Sequence, residues 1–181
     1  QAMGAAGRFA EKYGRETRQR DIETFLFFDL DNPASVGSCL GAARENARIV
    51  RTALTTQVWD AINGAWQEFR AMQRRERSQL ALPDLADWTL RMTALVRGAI
   101  EATQLRDDGY HFLNIGYAIE RGDNTARFLD VKYYVLLPSI SYVGSGLDTY
   151  QWTTLLRALS AHRAYNWAYG GELTASRIAH F

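Results

Sequence analysis

Cysteine occurs once, at Cys39, so the chain forms no disulfide within itself and no zinc site built from several cysteines. Proline occurs at Pro33, Pro83 and Pro138 only, which leaves long stretches free of the strongest helix breaker. No apolar run approaches the ~18 residues of a membrane-spanning helix, and no secretory signal opens the sequence. An excess of one charge is also lacking. The formal net charge is +1, which argues against nucleic acid or a membrane surface as partner. What is present is ordinary for a globular protein: 47% apolar and 23% charged residues. A folded chain of this length removes roughly 70% of its unfolded surface from solvent, ample for a real core. A single all-α domain over residues 1–181, soluble and cytoplasmic, is the expectation.

The stretches between the prolines are rich in Ala, Leu, Arg, Glu and Gln, all good helix formers. A helix ending at Tyr13-Gly14 and a short one over Gln19–Phe28 open the chain. Asn32 as N-cap and Pro33 as first helical residue start a helix reaching about Leu54. Thr55 and Thr56 cap the next, whose Trp59, Ile62, Trp66 and Phe69 recur at spacings of three and four. Pro83-Asp84 opens another, with Leu85, Trp88, Met92, Leu95 and Val96 on its apolar face. Asp107-Asp108-Gly109 interrupts the pattern, and Tyr110–Leu137 reads as one long helix. A loop over Pro138–Asp148 precedes a last long helix, Asp148–Tyr169, stopped at Gly170-Gly171. Thr174 caps one more. No alternating strand pattern competes, so the fold class is all-α, a multi-helix bundle.

The chain resembles itself. At a constant offset of 156, Ala5–Phe25 aligns without gaps on Ala161–Phe181. Tyr13-Gly14 falls on Tyr169-Gly170, Glu16 on Glu172, Ile22 on Ile178 and Phe25 on Phe181, while Phe9 meets Tyr165. This predicts a long internal repeat, of which the chain spans little more than one copy. A fragment of a longer parent is therefore expected.

Two polar stripes are the candidate site. Residues three, four and seven apart share a helix face, which groups Glu120, Asn124, Arg127 and Tyr134, with Arg121, Asp123 and Asp130 beside them. Arg44, Glu45 and Arg48 form a second stripe on the helix after Pro33, continued by Arg51. One stripe offers carboxylates and the other mostly guanidinium groups. Facing each other, they would form an ion-pair network that sets helix register. Alternatively, Arg44, Arg48 and Arg127 would clamp a carboxylate or acyl phosphate, with Glu120 as the matching acid.

Other chemistry has less behind it. No histidine follows a glutamate by three residues, as a di-metal bundle requires, so no metal is expected. Gly144-Ser145-Gly146 is too short, lacks a nearby lysine and follows no strand, so it reads as a turn rather than a phosphate loop. No catalytic histidine accompanies Cys39. The five tryptophans sit at helical spacing and read as core or interface anchors. No cofactor is expected.

The run Tyr117-Ala118-Ile119-Glu120-Arg121-Gly122-Asp123-Asn124-Thr125-Ala126-Arg127, continued by Leu129-Asp130-Val131-Lys132-Tyr133, resembles the bacterial alpha-E family. Phe28-Asp29-Leu30-Asp31-Asn32-Pro33, Ala43-Arg44-Glu45-Asn46-Ala47-Arg48, Gln151-Trp152 and Leu155-Leu156-Arg157-Ala158 carry the same resemblance. Gly122 departs from it, since the family usually has a side chain after Glu-Arg. Members are longer, with an additional N-terminal Glu-Arg helix. The resemblance implies company with an ATP-grasp ligase and with a transglutaminase-like or proteasome-related peptidase. It thus implies a helical accessory module in the synthesis or processing of a small peptide or amidated metabolite. The alternatives are an enzyme or ligand-binding protein using the Glu/Arg seam, and a purely structural bundle.

Overall fold

The computed structural model describes residues 6–14, 16, 18–136, 139 and 142–181. Among them every regular element is helical. The helices are α1 (Ala6–Tyr13), α2 (Gln19–Phe27), α3 (Val36–Ile49), α4 (Thr56–Gln73), α5 (Leu82–Thr103), α6 (Asp108–Val131), α7 (Gly146–Ala158), α8 (His162–Tyr169) and α9 (Ala175–His180). The chain forms two compact units, one ending at Asn114 and the other running Ile115–Phe181.

The first unit is built on α3, α4 and α5. Phe28, Phe69, Leu85 and Trp88 form one apolar cluster, and Ala47, Val58, Ile62, Ile100 and Tyr110 form a second. The helical stripe expected through Trp59, Ile62, Trp66 and Phe69 supplies much of both. Thr55 caps α4 as expected, its Oγ1 accepting from Val58 N–H at 3.3 Å. The same hydroxyl lies 2.7 Å from Thr103 Oγ1, and Gln104 Nε2 donates to Ala53 O at 2.7 Å. These bonds tie the start of α4 to the end of α5.

The start of α3 differs from expectation. Ser35, not Asn32, is the N-cap, accepting from Ser38 N–H. Asn32 is buried, at 1% exposure, because its amide serves two other backbone groups. Nδ2 donates to Phe25 O at 2.9 Å and Oδ1 accepts from Ala34 N–H at 3.2 Å. Pro33 therefore sits in a turn, and α3 ends at Ile49, followed by a 3₁₀ turn over Arg51–Ala53.

In the second unit, α6 passes at Lys132–Leu136 into a π-helical turn. Leu137, Pro138 and Ile140, part of the expected helix end and loop, lie outside the described residues. The single helix expected over Asp148–Tyr169 is two. Ser160 takes a left-handed φ of +56°, and Ala161 N–H reaches back to Leu156 O at 2.8 Å, which closes the end of α7. In one straight helix, residues 155 and 165 would stand about 15 Å apart. The turn instead puts Tyr165 in one cluster with Trp152, Leu155, Leu156 and Ile178. Gly170 ends α8 at φ +64° and Thr174 caps α9, both as expected.

Candidate functional site

The Glu-Arg stripe lies on α6, where Tyr110 is the buried residue. Glu120 is exposed and accepts from Asn124 Nδ2 at 3.2 Å. Arg127 Nε donates to Asp123 Oδ2 at 2.6 Å, with both side chains about half exposed. That bond raises the Arg127 guanidinium above its ordinary value, with Asp130 adding a weaker attraction. The Arg121 guanidinium lies over the Tyr117 ring, 5.7 Å from its centroid.

The second stripe lies on α3. Arg48 holds Glu45 in a two-point pair, Nε to Oε2 at 2.9 Å and Nη2 to Oε1 at 2.6 Å. The pair lowers the Glu45 carboxyl, chiefly through the hydrogen bond from Arg48. Arg44 turns to α4, donating from Nε to Asn63 Oδ1 at 2.9 Å and resting over Trp59. Arg51 covers the same indole, 5.3 Å from its centroid. The α3 stripe belongs to the first unit and the Glu120–Asp130 stripe to the second. Exposed pairs along one helix are worth a few tenths of a kcal/mol each.

Two charged centres each hold a buried carboxylate, Asp148 and Asp29, which neither stripe has, and sequence reasoning missed both. Each holds one of the chain's two lysines. Lys132, in the π turn, donates to Asp148 Oδ1 at 2.6 Å and Gln151 Oε1 at 2.9 Å. Its side chain is 2% exposed, and its Nζ lies 5.1 Å from the Trp152 ring centroid. Asp148 Oδ2 accepts from Gly144 N–H at 2.9 Å. Burial pushes the Asp148 carboxyl up, but Lys132 and the Gly144 N–H outweigh it and hold the carboxyl below its ordinary value. The buried Trp152 Nε1–H adds a weaker pull in the same direction, although it does not reach full hydrogen-bond geometry with any described residue.

The other lysine, Lys12 on α1, donates to Asp29 Oδ1 at 2.7 Å and Asp31 Oδ2 at 2.6 Å. Tyr13 Oη also donates to Asp29, at 3.3 Å. Asp29 too is raised by burial and lowered further by Lys12 and by Asp31 N–H, so its net shift is downward. Lys12, Asp29 and Asp31 border a cleft of about 290 Å³ lined also by Arg8, Glu11 and Phe25. A lysine ammonium is a compact charge on a flexible stem and can serve two acceptors on different segments. The readable signal was the scarcity of lysine in an arginine-rich chain. The aspartates it selects are distant in sequence and carry no spacing rule.

An all-α chain with a Glu-Arg pair inside a long helix is the class this architecture defines. A family model described as "A predicted alpha-helical domain with a conserved ER motif" matches residues 1–181. The chain belongs to the Alpha-E family. No curated protein and no solved structure matches it. Among the described residues, no helix is long and apolar enough to cross a membrane.

Proposed function

We propose that the chain is a helical interaction module of the cytoplasm and that α6 is its docking helix. The observation that supports this reading is the exposure of Ile115 (52%) and Ile119 (67%). Their spacing of four puts them on one stripe of α6. Contiguous apolar surface left in water favours association. The Glu120–Asn124 and Asp123–Arg127 pairs lie about a quarter turn round the helix from that stripe. An apolar strip edged by exposed charges has the anatomy of an interface core and rim, where charges set register and partner choice.

The resemblance nominates an ATP-grasp ligase as the partner, in the synthesis or processing of a small peptide or amidated metabolite. A transglutaminase-like or proteasome-related peptidase would act in the same pathway. The test is titration calorimetry of the chain against the ATP-grasp ligase of the same organism. Saturable binding is expected, weakened at least about tenfold by Ile119→Asp. The melting temperature of that variant should be unchanged, since Ile119 is exposed. Absence of binding by the unsubstituted chain rejects the reading.

A further inference from the structure

Some arginines of the first unit meet an acid and others do not. Arg48, Arg97 and Arg106 each lie 3.9 Å or less from a glutamate carboxylate. Arg44 and Arg51 form no ion pair among the described residues; their hydrogen bonds go to amide carbonyls instead. Both side chains are half-buried, and both heads come to the indole of Trp59, 5.9 and 5.3 Å from its centroid. Seven residues along a helix are roughly 10 Å, so it is the ring that gathers these two like charges. Arg44 Nε donates to Asn63 Oδ1 at 2.9 Å and Arg51 Nη1 to Leu54 O at 3.4 Å. A guanidinium carries five N–H groups, so most donors on either side chain have no acceptor among the described residues. The adjacent acids do not supply one. Glu45 gives both carboxylate oxygens to Arg48, and its attraction to Arg44 is the weaker one. Asp60 is exposed and stands one residue, about 100°, round α4 from Trp59.

Two oriented guanidinium forks with donors to spare make a receptor for an anion. Their stems are already ordered against the ring, so little freedom is lost when a ligand arrives. We propose that Arg44 and Arg51, gathered on Trp59, bind a small phosphorylated ligand whose phosphoryl oxygens bridge the two guanidinium groups. Charge selects phosphate over carboxylate. A carboxylate carries one negative charge and answers one arginine, whether it belongs to a metabolite or to an acidic residue of another segment or protein. A phosphate monoester carries about −1.5 to −2 at neutral pH and three acceptor oxygens, enough for both. The indole also shields one side of each guanidinium from water, and attraction between charges is stronger where water is excluded. Arg48 stands outside the site, its charge already met by Glu45. The site lies wholly within the first unit and uses nothing of the Glu120 stripe.

The probe is sodium pyrophosphate, titrated into the full ¹⁵N-labelled chain at constant ionic strength and read by NMR at the arginine Nε–H and tryptophan indole N–H signals. Saturable shifts are expected at Arg44, Arg51 and Trp59, with the exposed Arg74 and Arg75 unmoved. Arg51→Gln should weaken binding at least about tenfold. Arg51→Lys covers the case in which that variant disturbs the packing of α3 on α4. It keeps the charge and an aliphatic stem over Trp59 but loses the fork, so it should melt as the parent does and still bind less tightly. Sodium acetate should bind at least about tenfold more weakly than pyrophosphate. Shifts that do not saturate, or that are as large at Arg74 and Arg75, mean unspecific screening and overturn the proposal. Binding that survives both Arg51 variants overturns it too. Acetate binding as tight as pyrophosphate would assign the pair to a carboxylate and likewise overturn it.

Discussion

Lys132 Nζ lies 2.6 Å from Asp148 Oδ1, and the two side chains retain 2% and 8% of their exposure. The pair joins the π turn after α6 to the first turn of α7. Both charges keep further partners, Gln151 on the ammonium and the Gly144 N–H on the carboxylate. Gln151 in turn donates to Leu136 O at 2.7 Å, in the π turn itself. A π turn places its side chains differently from an α-helix and recurs at sites of special demand. Here it accompanies the delivery of a lysine to a buried carboxylate.

Breaking that pair from one side should cost far more than removing it. Lys132→Met leaves Asp148 buried without its counter-charge, a loss of about 3–5 kcal/mol. Lys132→Met with Asp148→Leu removes both charges and should be less destabilised than Lys132→Met alone. Urea denaturation midpoints of the variants measure this. A single variant within about 1 kcal/mol of the parent would show that the pair carries little stability.

The acid limb of stability follows from two aspartates. Asp29 and Asp148 both have folded values below the ordinary one. A lowered carboxyl contributes stability that is present in full above its unfolded value, about 3.9, and is lost as pH falls through its lower folded value. The melting temperature should therefore fall between about pH 5 and pH 2. Asp148→Asn should lie lower near neutrality but lose less over that range. A variant as steep as the parent assigns the acid limb to other groups.

Two glycines should respond to alanine with opposite signs. A Cβ on Gly37 would overlap Phe69 Cζ and approach Cε1 to 2.9 Å. Phe69 is held by the rings of Phe28, Trp66 and Trp88 and cannot give way. Gly37→Ala should cost about 1–3 kcal/mol net of helix propensity. Gly122, inside α6, has open space where its Cβ would stand. Gly122→Ala should stabilise by up to about 1 kcal/mol. Thermal unfolding of the two variants separates a packing glycine from one that only weakens its helix.

Glu120 gives a sharp contrast with Asp148. Its side chain is exposed and its hydrogen-bond partner, Asn124, sits one turn along the same helix. Glu120→Ala should change stability by no more than about 0.5 kcal/mol. A fall of many degrees in melting temperature would instead make the stripe a structural network. An unchanged melt with weakened ligase binding is the result that the docking reading requires.

Much of this molecule is legible in its sequence. The caps at Thr55 and Thr174, the left-handed stops at Gly14 and Gly170, the stripe from Trp59 to Phe69 and the pairs along α6 were all readable. Each depends on residues within about one or two helical turns, so a periodicity or a cap rule suffices. The Glu-Arg stripe could be located in the same way, but not its exposure.

Tertiary structure decided the rest. Asn32 gives up the N-cap role its sequence invites because folding brings Phe25 O within reach of its amide. The helix expected to run through Ser160 breaks there, and the turn carries Tyr165 onto Trp152 and the leucines of α7. Lys132 finds Asp148 across sixteen residues, and Lys12 finds Asp29 across seventeen. The sequence by itself determined helix content, most helix ends and family. The tertiary structure decided which charges are buried and which ring faces are covered. The physical reason is range: a backbone hydrogen bond or a cap is satisfied within one turn, whereas desolvation of a side chain depends on whatever the rest of the chain lays over it.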